Sequence, residues 1–476
     1  MNFLTRLKSL DADASVDVSR QLRKTLSWPH LIALGVGAIV GTGIYTLTGV
    51  GASLAGPGVI LSFALAGLVC AFAALAYAEM ATLIPTAGSA YTYTYSVIGE
   101  VFGWIVGWSL VLEYALACSA VAVGWSAHIL GFLHGTLGVD LPPVLTAGLF
   151  DGGVVNIMAI VITGVITGLL LLGTRESATV NIVLVLIKLV ALAAFIIIAT
   201  PAIETGHYQP FTPYGLLAHE VNGVNVGVAA AAAIVFFAFF GFDAVSTSAE
   251  ETRNPGRDLT IGIIGSMALC TIIYMLVAAA AVGAVPFADF AASGEPLPYI
   301  LRTLGHPVTG ALVGAAAIIA LPSVILVMMY GQSRIFFVMS RDGLIPAALS
   351  KVNQRGVPAR ITLITGVFVA IFAGFVPLKS IAELSNAGTL LAFISVSASM
   401  IVLRVRAPGM RRDFKAPVFW FTGPAAIGGC VFLFCSLSHF TMLSFALWNA
   451  IGVVVYFAYG VWNSRLRVAA QPRPAV

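Results

Sequence analysis

The sequence has very little charge. Of its 476 residues, 9% are Asp, Glu, Lys or Arg, whereas 59% are hydrophobic. A soluble domain carries about 25% charged residues, so this composition excludes a chain whose surface faces water throughout. Apolar runs recur along the whole length, each long enough to cross a hydrocarbon layer of about 30 Å as a helix. The composition therefore predicts an all-α integral membrane protein.

Motifs for catalysis are also missing. The sequence has no nucleotide-binding loop, no nucleophile motif and no metal-ligand cluster, and its five cysteines lie in apolar runs without metal or redox spacing. We therefore expect a protein that is not an enzyme and that needs no metal, cofactor or nucleic acid. The first 28 residues lack an apolar core, so no cleavable signal is predicted.

Twelve apolar segments are predicted to be membrane-spanning helices. We place them at residues 29–53, 59–83, 98–131, 153–172, 178–200, 224–249, 259–285, 307–337, 361–377, 380–403, 422–439 and 442–463. This map divides the chain into a cytoplasmic N-terminal segment, two units of five spans, a final pair of spans and a cytoplasmic tail. Their predicted boundaries are 1–28, 29–200, 224–403, 422–463 and 464–476.

The distribution of positive charge predicts the orientation of these spans. With the amino terminus in the cytoplasm, 21 of the 24 Lys and Arg residues lie in or beside cytoplasmic connections. Only Arg302 and Lys379 fall outside, and Lys188 lies within a span. Cytoplasmic loops of membrane proteins carry this excess, and one miscounted span would move all later loops to the other side. We therefore expect both termini in the cytoplasm and a multi-pass protein of a bacterial-type cytoplasmic (inner) membrane.

The first span contains a glycine cluster at its centre. The segment from Gly37 to Ile44 reads G-A-I-V-G-T-G-I. Each glycine weakens a helix by about 1 kcal/mol relative to alanine, so one interpretation is a break in the helix, whose freed backbone groups must be buried in protein or line a cavity. Close packing between helices, which small residues also allow, is the other interpretation.

The sixth span is interrupted in a similar way. The segment F-F-A-F-F-G-F-D from Phe236 to Asp243 places Gly241 and an acid in mid-span. Spans one and six open the two five-span units, and paired interrupted helices in corresponding positions are typical of a transporter site. Free N–H groups at such a break suit a carboxylate and free C=O groups suit an ammonium. The backbone alone could therefore bind an amino acid zwitterion.

Several motifs resemble those of one transporter family. They are G-A-I-V-G-T-G-I followed by A-G-P-G (Ala55 to Gly58), P-T-A-G-S-A-Y from Pro85, E-E-T-R-N-P-G-R-D from Glu250 and S-R-D-G-L-I-P from Ser340. In type and order they are similar to the signatures of amino acid–polyamine–organocation (APC) transporters. The segment G-W-S-L-V-L-E-Y from Gly107 resembles bacterial relatives of the cationic amino acid transporters.

The resemblance covers about residues 25–415 and implies a fold and a mechanism. The fold is the LeuT type, a five-plus-five inverted repeat with two additional C-terminal helices, which makes about 12 transmembrane helices. The mechanism is alternating access around the broken first and sixth helices. The substrate-binding residues that the resemblance implies are Val40, Gly41, Thr42, Gly43, Glu113, Ala117, Phe236, Ala238, Phe239, Gly241 and Met328.

Lys188 and Glu113 are ionisable residues inside predicted spans. Such residues are energetically costly and are expected to be functional. The resemblance places Lys188 where sodium-coupled relatives bind a cation, so its ammonium is expected to replace that ion and brace the first break. A proton carrier and a fixed structural charge are alternatives for this lysine. Glu113 suits a cationic substrate side chain, but a bond to a helix hydroxyl or a protonated state fits it equally.

Further charges are expected to control the inner side of the site. Asp243 follows the sixth-span break, where it can cap the backbone or pair with a neighbour. Glu250, Arg253 and Arg257 follow that span and are predicted to form an inner charged cluster that steadies one gate state.

Taken together, these patterns predict a secondary amino acid transporter that works without sodium. Its partners are expected to be the amino acid substrate, the lipid bilayer and a coupled proton, while exchange and uniport stay open. Small neutral amino acids are favoured by Ala117 and Met328, whereas the family name favours arginine and lysine. A membrane sensor that binds amino acids without moving them is the alternative from another class. The sequence gives no oligomeric partner.

Overall fold

The computed structural model describes residues 7, 26–85, 88–150, 152–173, 178–246, 248–249, 252–346, 348–349, 351 and 358–469. Within these ranges the regular structure is helical apart from one short hairpin and two isolated bridges. In the first half of the chain the helices are α1 (Trp28–Ile39), α2 (Thr42–Tyr45), α3 (Leu47–Ala55), α4 (Val59–Leu83), α5 (Ser89–Val97), α6 (Glu100–Phe132), α7 (Pro143–Thr146), α8 (Ile157–Leu171) and α9 (Ala178–Ala199).

The second half begins with an antiparallel hairpin of β1 (His219–Val221) and β2 (Val224–Val226), in which His219 pairs with Val226. The helices that follow are α10 (Val228–Val235), α11 (Phe242–Ser246), α12 (Pro255–Ala284), α13 (Phe287–Phe290), α14 (Pro296–Thr303), α15 (Pro307–Arg341), α16 (Ala359–Phe375), α17 (Leu378–Arg406), α18 (Phe419–Cys435), α19 (His439–Val455), α20 (Val461–Asn463) and α21 (Arg465–Ala469).

Each predicted span coincides with helix in the structure. Eight helical stretches of the described chain are long and apolar enough to cross a membrane, and four shorter apolar helices accompany them. The first predicted span is divided into α1, α2 and α3, and the sixth into α10, a tight turn and α11. The fourth begins later than predicted, at Ile157, because the Asn156 side chain caps α8 by accepting the Ala159 N–H at 3.1 Å. The all-α membrane architecture is therefore confirmed.

Helices at the periphery of the protein differ from those at its centre in how much apolar surface they expose. On α8, Val161, Val165 and Leu169 are exposed and lie four residues apart, so one face of this helix presents apolar side chains to the surroundings, as a lipid-facing helix must. The long helix α6 is instead almost entirely buried and packs against α8, α15, α16 and α17. The candidate site is built around this central helix.

One buried cluster of charged side chains joins the helices at the predicted cytoplasmic side. Glu79, near the end of α4, is 1% exposed and accepts two hydrogen bonds from Arg404 of α17, at 2.6 and 2.7 Å. Its carboxylate also lies 3.2 Å from Arg412 and accepts the Ala416 N–H at 2.8 Å. The Arg412 guanidinium in turn donates to nearby carbonyls, among them that of Leu403 at 3.2 Å. The cluster therefore ties α4, α17 and the segment before α18 together.

Replacing Glu79 by Gln should destabilise the protein strongly, because two arginines would lose their buried carboxylate. Breaking a buried pair typically costs about 3–5 kcal/mol. We expect a lower melting temperature in detergent for Glu79→Gln than for Glu220→Gln, whose side chain is exposed. Equal melting temperatures for both variants and the wild type would show that the cluster does not contribute to stability.

Candidate substrate-binding site

The first span is broken at Val40 and Gly41. α1 ends at Ile39 and α2 begins at Thr42, and the residues between have φ/ψ of −74°/93° and −144°/−150°, outside the helical range. No described residue accepts a hydrogen bond from the backbone N–H groups of Gly41, Thr42 or Gly43. All of these residues are buried. Three free N–H groups are therefore available at the beginning of α2.

The other glycines of this span serve close packing. A Cβ on Gly37 would lie 2.9 Å from both Asn181 and Val185 of α9, and a Cβ on Gly35 would overlap the Ser266 hydroxyl of α12. The two interpretations of the glycine cluster thus apply to different residues. Gly35 and Gly37 allow contact with neighbouring helices, and Gly41 lies in the break.

The sixth span is broken by a tight turn and an extended residue. α10 ends at Val235, a 3₁₀ turn covers Phe236–Phe239, and Phe240 is extended with ψ 137°. Gly241 follows with φ +116°, a conformation that side chains other than glycine's rarely adopt. Asn386 of α17 donates to the carbonyls of Ala233 and Ile234 at 2.8 and 3.1 Å, so a side chain from another helix supports the end of α10.

The two breaks lie in direct backbone contact. A Cβ on Gly43 would overlap the Ala238 backbone, and a Cβ on Gly241 would lie 2.8 Å from the Ala38 carbonyl carbon. Glycine is therefore required on both sides of this contact. This backbone contact places the free N–H groups of the first span's break beside the Phe236–Phe239 turn of the sixth span.

Carbonyl groups at the end of α1 are bound by two buried side chains. Lys188 of α9 is fully buried, and its ammonium donates to the Gly37 carbonyl at 2.7 Å. Tyr274 of α12 donates from its hydroxyl to the Ile39 carbonyl at 2.8 Å. The Tyr45 hydroxyl of α2 bonds to the carbonyl of Lys188 itself at 3.2 Å. Lys188 therefore contacts both sides of the first break, while its role in place of a bound cation stays a prediction.

Glu113 lies away from the first break. On α6 the residue level with that break is Gly124, because a Cβ there would lie 2.7 Å from the Thr42 hydroxyl. Glu113 comes eleven residues earlier in the same helix, which is about 16 Å along the helix axis at about 1.5 Å per residue. The Glu113 carboxyl packs against Gly388 of α17, and one of its oxygens has no partner in the described chain.

Asp243 lies near Glu113, because it is bonded to Tyr114, the next residue of α6. It receives a hydrogen bond from Tyr114 at 3.1 Å, and its second carboxyl oxygen has no partner in the described chain. The bond to Tyr114 is a contact with a neighbouring helix, and the choice between the two predicted roles, capping and pairing, stays open.

The eighth span reaches the first break through a residue that sequence reasoning did not select. Val324 of α15 would meet a Cβ on Gly41 at 3.7 Å. Met328, one helical turn further along α15, and Ala117 of α6 are both 1% exposed. α6 and α15 also meet where Cys118 contacts the Ile325 carbonyl at 3.7 Å. The helical spacing of four residues from Met328 was the available signal for Val324.

The predicted inner cluster stays a prediction. Glu250 lies outside the described residues. Arg253 and Arg257 are exposed, and neither forms an ion pair with a described residue. The Arg253 backbone N–H instead bonds to the Leu26 carbonyl at 2.8 Å, which joins the start of α12 to the segment before α1.

Three polar residues inside apolar spans also contribute to the site, namely Tyr274, Asn386 and His128. Tyr274 and Asn386 support the two breaks, as described above. His128 of α6 is completely buried, with its ring edge-on to Tyr45 at 5.9 Å between centroids. Polar residues in mid-span were the signal, but only the fold shows which backbone group each one meets.

Substituting the two break glycines should have different effects on stability. Gly43→Ala places a methyl group into the Ala238 backbone, and such overpacking typically costs about 1–3 kcal/mol. Gly41→Ala meets Val324 at 3.7 Å and the Ile39 carbonyl oxygen at 4.0 Å, both ordinary contact distances. We expect Gly43→Ala to lower the melting temperature in detergent and Gly41→Ala to leave it nearly unchanged. A larger loss for Gly41→Ala would contradict the backbone contact described here.

Comparison with known proteins identifies the family. The family model described as amino acid permease matches residues 26–460. The branched-chain amino acid permease BcaP of Bacillus subtilis is 44% identical, over 97% of this chain and 98% of that protein. A methylthioribose transporter of the same species is 39% identical, over 98% and 100%. Cationic amino acid transporter 2, vacuolar, of Arabidopsis thaliana is 38% identical, over 85% and 64%.

These matches cover nearly the whole described membrane region and confirm the resemblance and the APC-type membrane fold. The relatives are permeases and transporters, so the chain is a transporter and not an enzyme. From its sequence, its fold and these relatives, the protein belongs to the amino acid permease family of the APC superfamily.

Proposed function

We propose that this protein is a secondary active transporter of small to medium-sized neutral amino acids, which binds its substrate between the broken first and sixth spans. One observation carries the proposal. The N–H groups of Gly41, Thr42 and Gly43 have no partner in the described chain and lie beside the Phe236–Phe239 turn, because the two breaks touch at Gly43 and Ala238.

The zwitterion fits this arrangement by charge. Free N–H groups at a helix start bind a carboxylate, so the α-carboxylate lies against Gly41, Thr42 and Gly43. Lys188 and Tyr274 already bind carbonyls of α1. The α-ammonium therefore binds at the other break, against carbonyl groups of the Phe236–Phe239 turn.

The surroundings favour an uncharged side chain. Val324 borders Gly41, and the buried Ala117 and Met328 lie along the same pair of helices. An apolar wall stabilises an apolar side chain and leaves a charged one unpaired. Relatives named as branched-chain amino acid permeases, in Bacillus subtilis and Lactococcus lactis, support this choice.

Lys188 supports a transport cycle without sodium. Its side-chain nitrogen is bound to the Gly37 carbonyl. With this nitrogen protonated, a second cation at short distance would be repelled in a medium of low dielectric constant. We therefore propose proton coupling, with Lys188 in the place of a bound cation.

The proposed mechanism is alternating access by two inverted units. Residues 29–200 and 224–403 form the units, and residues 422–463 add two spans. The charge bias of 21 inner to 2 outer Lys and Arg residues supports cytoplasmic termini, in residues 1–28 and 464–476.

A cationic substrate is the second candidate. Glu113 has a buried carboxyl oxygen without a partner in the described chain, which suits a guanidinium or ammonium group, and several relatives are named cationic amino acid transporters. The distance of Glu113 from the first break along α6 makes this the weaker candidate. Binding without transport, as in a sensor, is distinguished by the flux experiment below.

Uptake into proteoliposomes tests the substrate. With a pH gradient, acidic outside, we expect accumulation of leucine, valine or alanine, no dependence on sodium, and weaker competition by arginine and lysine. Uptake of arginine alone, with no competition by neutral amino acids, would favour the second candidate. Saturable binding with neither uptake nor counterflow would identify a sensor.

Lys188→Met tests the coupling. Removing the ammonium takes its hydrogen bond from the Gly37 carbonyl. A hydrogen bond to a charged group is worth about 1.5–3 kcal/mol and about 1.4 kcal/mol is tenfold, so pH-driven uptake should fall by about tenfold or more. Lys379→Met, at the outer end of α17, is the control and should transport normally. Unchanged uptake by Lys188→Met, or restored uptake with sodium alone, would contradict the proposed role.

A further inference from the structure

His128 is a buried histidine with one free nitrogen. It lies in the predicted outer half of α6 and is 0% exposed. Its Nδ1 is 2.8 Å from the Gly124 carbonyl oxygen. Because a carbonyl only accepts hydrogen bonds, Nδ1 carries the proton of the neutral ring, and Nε2 is left with a lone pair. Nε2 has no hydrogen-bond partner in the described part of the chain.

This histidine borders the proposed substrate site. Its ring is edge-on to Tyr45 of α2, whose hydroxyl bonds to the Lys188 carbonyl. Gly124, which receives the Nδ1 bond, is the α6 residue that packs against Thr42. The Thr42 hydroxyl is also buried and without a partner among the described residues. Positive charge on His128 would therefore lie one helical turn from the N–H groups that bind the substrate carboxylate.

The same face of α6 leads from His128 toward the predicted outer surface. Gly131 and Gly135 follow His128 at helical spacing. A Cβ on Gly131 would overlap the Glu295 carboxyl, and a Cβ on Gly135 would lie 3.4 Å from the Arg302 guanidinium. The exposed His134, between these two glycines in the sequence, pairs with Asp140 at 2.7 Å.

Glu295 is the second incompletely bonded group on this route. It lies before α14, outside the spans, and is 5% exposed. One carboxyl oxygen accepts from Arg302 at 2.5 Å, and the other has no partner among the described residues. Burial raises the pKa of the Glu295 carboxyl above its usual range, although the Arg302 guanidinium opposes the shift. This carboxyl therefore binds a proton more readily than an exposed glutamate does.

We propose that His128 is the proton-binding residue of the transport cycle, loaded from the outer side past Glu295 along the Gly131 face of α6. The proton adds to the lone pair of Nε2, which gives an imidazolium, while Nδ1–H keeps its bond to Gly124. The proton leaves from the same Nε2, so the neutral ring is restored unchanged. Among the titratable groups of neighbouring elements, Tyr45 of α2 faces the ring edge-on. The Lys188 ammonium is bound to the Gly37 carbonyl, and the Glu295 carboxyl lies against Gly131.

Coupling follows from electrostatics. An imidazolium at His128 attracts the substrate carboxylate, and the carboxylate favours the imidazolium by the same free energy. The proton and the substrate therefore bind together and are carried together. This inference rests on the proton-coupled transport proposed above, and it adds the residue that holds the proton.

The test compares two fluxes in proteoliposomes made from the full-length protein. His128→Gln keeps a polar side chain but cannot hold a proton, and His439→Gln, at an exposed helix end, is the matched control. We expect His128→Gln to lose about tenfold or more of pH-driven leucine accumulation, within the usual range of coupling between sites. Leucine counterflow at equal pH on both sides should persist, because exchange needs no net proton movement.

The outcomes are distinguishable. If the wild type accumulates no amino acid in response to a pH gradient, the proposed function itself fails. If the wild type does so and His128→Gln does so equally well, His128 is not the proton site while the proposed function stands. If His128→Gln loses both fluxes, the Glu295→Gln variant is tested next. The proposal requires that Glu295→Gln weaken pH-driven accumulation and keep counterflow. Normal accumulation by Glu295→Gln overturns the proposal.

Discussion

The free backbone groups of two broken helices are the constraint on which the rest of the structure depends. In a hydrocarbon environment each unpaired N–H or C=O costs several kcal/mol, so a broken span persists only where other groups replace the lost bonds. Lys188, Tyr274 and Asn386 supply donors from three different helices. Donors therefore satisfy carbonyls on the α1 and α10 sides, whereas the N–H groups after the first break have no acceptor in the described chain.

The same constraint explains where glycine is needed. The breaks are in contact at Gly43 and Ala238 and again at Gly241 and Ala38, and both contacts exclude a side chain. Backbone atoms of one break therefore form a wall of the other. A substrate that binds to both breaks replaces the hydrogen bonds that neither helix can make internally.

Carboxylates along the predicted transport axis differ in how completely they are bonded. Glu79 is held by two arginines and a backbone N–H, and Glu100 at the start of α6 accepts from Tyr95, Tyr456 and Ser464. Such fully bonded groups make a structure rigid. Glu113 and Asp243 each keep one oxygen without a partner in the described chain. These two acids lie at the central helix α6, since Glu113 belongs to it and Asp243 is bonded to its Tyr114. Glu295, before α14, also keeps one oxygen without a partner in the described chain.

The sequence alone determined the membrane class, the number of spans and the family, because long apolar runs and ordered motifs are local properties of the chain. It also placed glycines in the middle of spans one and six and a lysine deep in span five. Only the tertiary structure decided that Gly37 packs while Gly41 breaks, that Lys188 meets the Gly37 carbonyl, and that Glu113 faces α17. It also buried His128 beside Tyr45. The physical reason is that a hydrogen bond or steric contact between distant helices depends on their relative height and rotation, which packing of all the spans determines together.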